Sequence, residues 1–248
     1  MTTPVGTPLG VTASHRTAAA FDPATVTRLA LWLDASDATK FTYGTGTQVA
    51  TWIDKSPNAF TVSRTPSANV YRTDTINGLT CVTSTQFQQD LQRAATPVRS
   101  FVDPTTFTDC MSFAVRQPTT ATQGGWLNLI TTNYRVSVDD RGTMYIDVAN
   151  AAGGRMSGAS GDVAGALDLI SWYRSGVEMR MYRNGVQMLT KSTASFTVAA
   201  AESGPLIVLC PPGGGFTGKI GEIYHVARYN AADFTAISNY LKAKWNTP

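Results

Sequence analysis

LDLISWYRSGVEMRMYRNGV, residues 167–186, decides the fold. Apolar and polar side chains alternate through LDLISWYRS (167–175) and EMRMYRN (178–184), the period of a strand with two different faces. Asn184-Gly185 then supplies the two positive-φ residues of a type I′ turn, so Tyr182 to Val186 reads as a two-residue β-hairpin. Working outward, Asp140-Arg141-Gly142 marks another tight reversal between YRVSVDD (134–140) and TMYIDVA (143–149). The same short, turn-bounded pattern recurs at 29–33, 47–54, 111–117, 126–132 and 219–229. That is too many strands for one flat sheet, so the expectation is all-β, with two antiparallel sheets stacked face to face.

One helix is expected, at the C-terminus. In NAADFTAISNYLKAKW, Phe234, Ile237, Leu241 and Trp245 recur at spacings of three and four, Asn230 suits the N-cap, and Lys242 and Lys244 suit the negative end of the helix dipole. Its apolar stripe is expected to face the sandwich. Gly-rich patches at 152–161 and 210–218 read as exposed loops.

The 248 residues are 43% hydrophobic and only 15% charged, below the roughly 25% usual for soluble domains. This disfavours coiled coils and charged disordered tails. The net charge of +3 is scattered without a basic block, which argues against nucleic acid as a partner. No run approaches the roughly 20 apolar residues of a membrane-spanning helix, and MTTPVGTPLGVTASHR lacks the pattern of a secretion signal. A soluble chain is therefore expected, with no membrane partner. Residues 1–20, rich in Thr, Ala, Gly and Pro, cannot bury enough surface to fold alone and read as an extended arm that docks on a neighbour. Residues 21–248 read as one domain. Cys81, Cys110 and Cys210 are an odd number and far apart, as expected of free buried thiols. With two histidines, His15 and His225, and no CxxC, a zinc site has little to build from.

Leu31-Trp32-Leu33-Asp34-Ala35-Ser36-Asp37, then Trp52-Ile53-Asp54-Lys55-Ser56-Pro57-Asn58, then Ile76-Asn77-Gly78, resemble the N-terminal half of the concanavalin A-like (laminin-G-like) jelly-roll domains. Tyr182-Arg183-Asn184-Gly185, the glycine-rich Phe216–Ile223 segment and the closing Tyr240-Leu241-Lys242-Ala243-Lys244-Trp245 are similar to that family's C-terminal half. The resemblance runs from about Phe21 to Trp245 and implies a jelly roll of the kind found in phage virion proteins. Pro57 stands where the family often has Gly, and its fixed negative φ requires a different turn.

Candidate chemistry is sparse. Glucanases of this fold set paired carboxylates about 5–5.5 Å apart on one strand. Here Glu178, Glu202 and Glu222 are the only glutamates, and none sits in such a motif. There is no G-x-S-x-G, and Gly213-Gly214-Gly215 is not followed by Gly-Lys-Ser/Thr. Asp34, Asp37 and Asp54 lack the dense spacing of a calcium loop; Asp34 and Asp54 are expected to bond loop amides beside their tryptophans. No cofactor or metal is expected. Among five tryptophans, Trp32, Trp52 and Trp245 read as core, and Trp126, after Gly124-Gly125, is the candidate for an exposed sugar-stacking face.

The expected function is a non-enzymatic structural protein of a phage virion, a head decoration or a tail or fibre component. It would be made in the host cytoplasm, dock through residues 1–20 on other virion proteins and act as an oligomer or assembly part. The alternative is a carbohydrate-binding module, secreted or displayed, for a cell-surface or extracellular polysaccharide.

Overall fold

The computed structural model describes residues 21–65, 70–85, 91–103, 109–120, 125–130, 135–140, 143–149, 155–159, 161–192, 203–209 and 216–248. The expected arm at residues 1–20, Cys210, Glu202 and the triple glycine at 213–215 lie outside these.

The described strands are β1 (Leu29–Asp34), β2 (Phe41–Tyr43), β3 (Val49–Ile53), β4 (Thr61–Arg64), β5 (Val70–Ile76), β6 (Leu79–Ser84), β7 (Leu91–Pro97), β8 (Cys110–Pro118) and β9 (Leu127–Ile130). They continue with β10 (Arg135–Asp140), β11 (Thr143–Ala149), β12 (Arg155–Ala159), β13 (Asp168–Ser175), β14 (Glu178–Arg183), β15 (Val186–Ser192), β16 (Ser203–Val208) and β17 (Gly218–Val226), and the helix α1 (Ala231–Trp245) closes the chain. Sheet A runs β15-β14-β13-β8-β17-β6-β5, with β1 also pairing β17; sheet B runs β12-β11-β10-β9-β16-β7-β4-β3-β2. The expected all-β, two-sheet antiparallel sandwich with one C-terminal helix is what forms.

Asn184 and Gly185 have φ of 52° and 86°, and Arg183 pairs Val186 across them, which is the type I′ hairpin expected from the sequence. Asn77-Gly78, with φ of 48° and 83° between paired Ile76 and Leu79, is a second turn of the same kind. The patch at 152–161 is not all loop: β12 lies inside it and pairs β11. Gly158 is in that strand because a Cβ there would stand 2.3 Å from Leu189 of β15. The glycine marks a close approach of the two sheet edges, not exposure. The Pro57 turn is resolved by Ala59, whose N–H donates to Ser56 O at 3.0 Å. Pro57 takes the position its fixed φ favours, and the positive φ of 46° falls on Ala59.

The molecule has two cores. The first fills the space between the sheets and contains Trp52, Trp126 and Trp172. The second lies on the outer face of sheet A, where Ile237, Leu241 and Trp245 of α1 pack on Trp32, Phe113, Val115, Leu169 and Tyr224. Because both faces of sheet A are covered, β1, β8, β13 and β17 are buried almost continuously. Asn230 caps α1 by accepting from Asp233 N at 3.0 Å, and Asn77 Nδ2 donates to Trp245 O at 2.7 Å at its other end. Gly221, the extra residue of a β17 bulge, lets the Trp245 ring approach to 2.9 Å of where a Cβ would be.

Candidate functional site

Register places one outward-facing row across sheet A: Trp32, Tyr224, Phe113, Ser171 and Tyr182, contributed by β1, β17, β8, β13 and β14. Four members are aromatic and the fifth is a serine. Ser171 therefore leaves a gap in an aromatic surface, and α1 crosses above it. The result is a groove of about 360 Å³, floored by Ser171. Tyr173, Tyr182, Tyr229 and Phe234 form its aromatic walls; Tyr173 stacks on Tyr229 with ring centroids 4.0 Å apart, and Phe234 meets Tyr173 edge-on at 5.5 Å.

The helix side of the groove is polar. Ala231, Phe234, Thr235, Ser238, Asn239 and Lys242 recur at spacings of three, one, three, one and three, so they line one helix face. From Ala231 to Lys242 that face runs about 16 Å at 1.5 Å per residue. Tyr173 is buried while Tyr182, Tyr229, Phe234, Ser238 and Lys242 are half-buried and Thr235 and Asn239 exposed. Burial, the neighbouring Tyr182 and Tyr229 and a hydrogen bond with Tyr182 push the Tyr173 phenol well above its ordinary value, so it stays neutral. Lys242 Nζ donates to Asn184 O at 3.1 Å, which ties the helix to the I′ turn at the groove end. Amphipathic rings beside hydroxyl and amide groups can hold a polyhydroxylated ligand with an apolar face.

Trp126, the sequence candidate for sugar stacking, is elsewhere and fully buried in the inter-sheet core. Its neighbour Gly125 is buried too, so the glycine there does not signal a surface loop. The Arg116 guanidinium lies 5.4 Å from the Trp126 ring centroid, and Arg116 and Arg183 both hold Asp162 at that end of the core. All five tryptophans are buried, as expected for Trp32, Trp52 and Trp245. The groove tyrosines were missed because each reads as an ordinary strand residue. The available signal was Trp172-Tyr173: adjacent aromatics on a strand face opposite ways, so sheet A needs cover on both sides.

The carboxylates have structural partners. Asp54 accepts from Trp32 N (2.7 Å), Ser56 N (2.7 Å) and Phe60 N (3.3 Å), fixing the turn that follows β3. Asp34 accepts from Ser36 N at 3.0 Å. Asp34 and Glu222 are cross-strand partners on β1 and β17, and Lys244 bridges them at 2.8 and 2.7 Å. Trp32 Nε1 and Trp245 Nε1 also donate to Glu222, at 2.6 and 2.8 Å. Burial and the neighbouring Asp34 push Glu222 up. Burial opposes ionisation of Asp34 as well, but Lys244, Ser36 and Lys55 together hold it below the usual carboxylate range. Glu178 lies on β14 and pairs Arg180, so the two described glutamates do not face one another. His225 is buried between Phe101 and Trp172, its Nε2 2.8 Å from Phe101 O. Cys81 and Cys110 are buried free thiols that burial pushes up, Cys81 to about 11. Among the described residues no group of three His, Cys, Asp or Glu side chains could hold a metal, and no helix is long and apolar enough to cross a membrane.

No sequence family matches the chain, and no curated protein matches it. In solved structures the fold recurs. The binding domain of botulinum neurotoxin serotype G shares 13% identity at a TM-score of 0.54, over 89% of this chain and 54% of that one. A Trypanosoma rangeli sialidase mutant displaying trans-sialidase activity shares 9% at 0.56, over 91% and 34%. The binding domain of Paraclostridial Mosquitocidal Protein 1 shares 12% at 0.54, over 86% and 52%. The chain thus spans about half the length of these chains or less. At such identities the likeness is one of fold, an all-β sandwich.

Proposed function

We propose that this domain is a non-enzymatic carbohydrate-binding module whose site is the groove between α1 and the β13–β14 hairpin. The observation that carries the reading is the serine gap in the aromatic row, which leaves Tyr182 and Tyr229 half-buried beside Ser238 and Asn239. Sugars present apolar C–H faces and hydroxyl edges together, and this groove offers a partner for each. A binding role rather than hydrolysis is supported by Asp34 and Glu222, which are committed to Lys244 under the helix. It also agrees with the binding domains among the fold's neighbours. Isothermal titration against a panel of oligosaccharides tests it, with Tyr182→Ala expected to weaken any binding about tenfold.

We further propose that the module is displayed on a phage virion, with residues 1–20 docking on a neighbouring virion protein and the chain acting as an assembly component. The composition of that segment and the jelly-roll resemblance support this reading. Cross-linking within assembled particles tests it: residues 1–20 joined to no other chain would overturn the docking.

A further inference from the structure

The geometry points to an anionic sugar as the ligand: a glycan bearing a carboxylate, bound with that carboxylate against Lys242. This inference rests on the carbohydrate-binding reading above and adds the chemical class of the ligand. Lys242 is the only charged side chain among the described residues that line the groove. The residue is half-buried, and among the described residues no carboxylate lies within 4.0 Å of its ammonium. The other lysine of the same helix end, Lys244, is held by Asp34 and Glu222 on another face. Two lysines two residues apart therefore have opposite electrostatic fates.

Position strengthens the case. Lys242 Nζ gives one hydrogen bond to Asn184 O at 3.1 Å, and an ammonium has three donors. That bond pins the group over the I′ turn, where Gly185 lacks a side chain; a Cβ there would sit 3.8 Å from Nζ. The lysine is thus held at one end of the groove rather than free to sweep the surface. With no acidic side chain among the described residues of the lining, a neutral sugar leaves the Lys242 charge unmatched and a uronate-type sugar matches it.

The test compares an oligoglucuronate with its carboxyl-reduced, neutral counterpart and an O-sulfated glucan of the same length, by titration calorimetry at low and at moderate salt. The expected result is that the uronate binds about tenfold more tightly than the neutral chain, that added salt narrows the difference, and that in Lys242→Met the two chains bind alike. Lys242→Arg should keep the preference. Equal binding of acidic and neutral chains, or a preference that survives Lys242→Met, overturns this inference and leaves the carbohydrate-binding reading standing. Preference for the sulfated over the uronate chain overturns the carboxylate assignment. Binding of none of the three overturns the inference; the same protein's failure on the wider oligosaccharide panel is what removes the carbohydrate reading beneath it.

Discussion

Acidification should weaken the sandwich from inside, through His225. Burial lowers its pKa from 6.5 to about 4, against a small opposing effect of Phe101 O. The unfolded chain takes up a proton at this residue near pH 6.5, but the folded protein does not until about pH 4. For a base with a depressed folded pKa, the stability is fully present above pH 6.5 and lost as pH falls towards 4. The interval is about 2.5 pH units, which at about 1.4 kcal/mol each gives a loss of about 3–4 kcal/mol. Glu222, Asp54 and Asp168 run the other way: their raised values let the folded state take protons first, adding stability as pH falls. A single pH profile would mix these contributions. The clean quantity is the difference in unfolding free energy between the wild-type protein and His225→Phe, from urea denaturation at pH 7.5, 6.5, 5.5 and 4.5. The carboxylates are common to both proteins and cancel, so the wild-type protein should lose ground to the variant on acidification. A difference that stays flat across this range would refute the reasoning.

The other expectations concern single contacts. Lys244→Met should cost about 3–5 kcal/mol by leaving Asp34 and Glu222 buried without their shared cation, read as a fall in urea midpoint that shrinks as acid protonates Glu222. Asp54→Ala should cost about 2–3 kcal/mol, because the amides of Trp32, Ser56 and Phe60 lose their acceptor; thermal melting reads it. Trp126→Ala should cost about 3–5 kcal/mol as a core cavity and leave the groove tyrosines' ligand contacts intact in the surviving folded fraction, checked by titration below the melting temperature. Asp37, held to about 2 by Thr39 and Lys55, should contribute stability above about pH 4 that disappears as pH falls towards 2, seen as loss of the Asp37→Asn difference in that range.

The sequence was most legible where one residue pair dictates backbone geometry. Asn184-Gly185 and the alternation around it gave the hairpin, and the spacing of Ile237, Leu241 and Trp245 gave the helix and its buried stripe. Strands such as β4, β7 and β12 were not legible, because their Thr, Ser, Gln and Arg residues carry little alternation and depend on neighbours for pairing. Glycines misled for a definite reason. Gly158 is a glycine of close packing and Gly125 is buried, and in sequence both are indistinguishable from the glycines of loops. The groove was invisible because it depends on register: only when β8, β13 and β14 are aligned does Ser171 fall between Phe113 and Tyr182. Trp126 illustrates the same limit, since whether an aromatic near a strand end faces solvent or core is set by what the opposite sheet brings to it.

The groove itself is tested most directly by mapping oligosaccharide titrations onto backbone amides by NMR, for the wild-type protein and for Ser238→Trp, which fills the groove from the helix side while leaving the buried stripe of Ile237, Leu241 and Trp245 unchanged. A bound sugar should shift the amides of Ser171, Tyr182, Ser238 and Asn239 together, and Ser238→Trp should abolish those shifts while its melting temperature stays near that of the wild-type protein. Shifts that cluster on another face, or that persist in Ser238→Trp, would contradict a carbohydrate site between α1 and the β13–β14 hairpin.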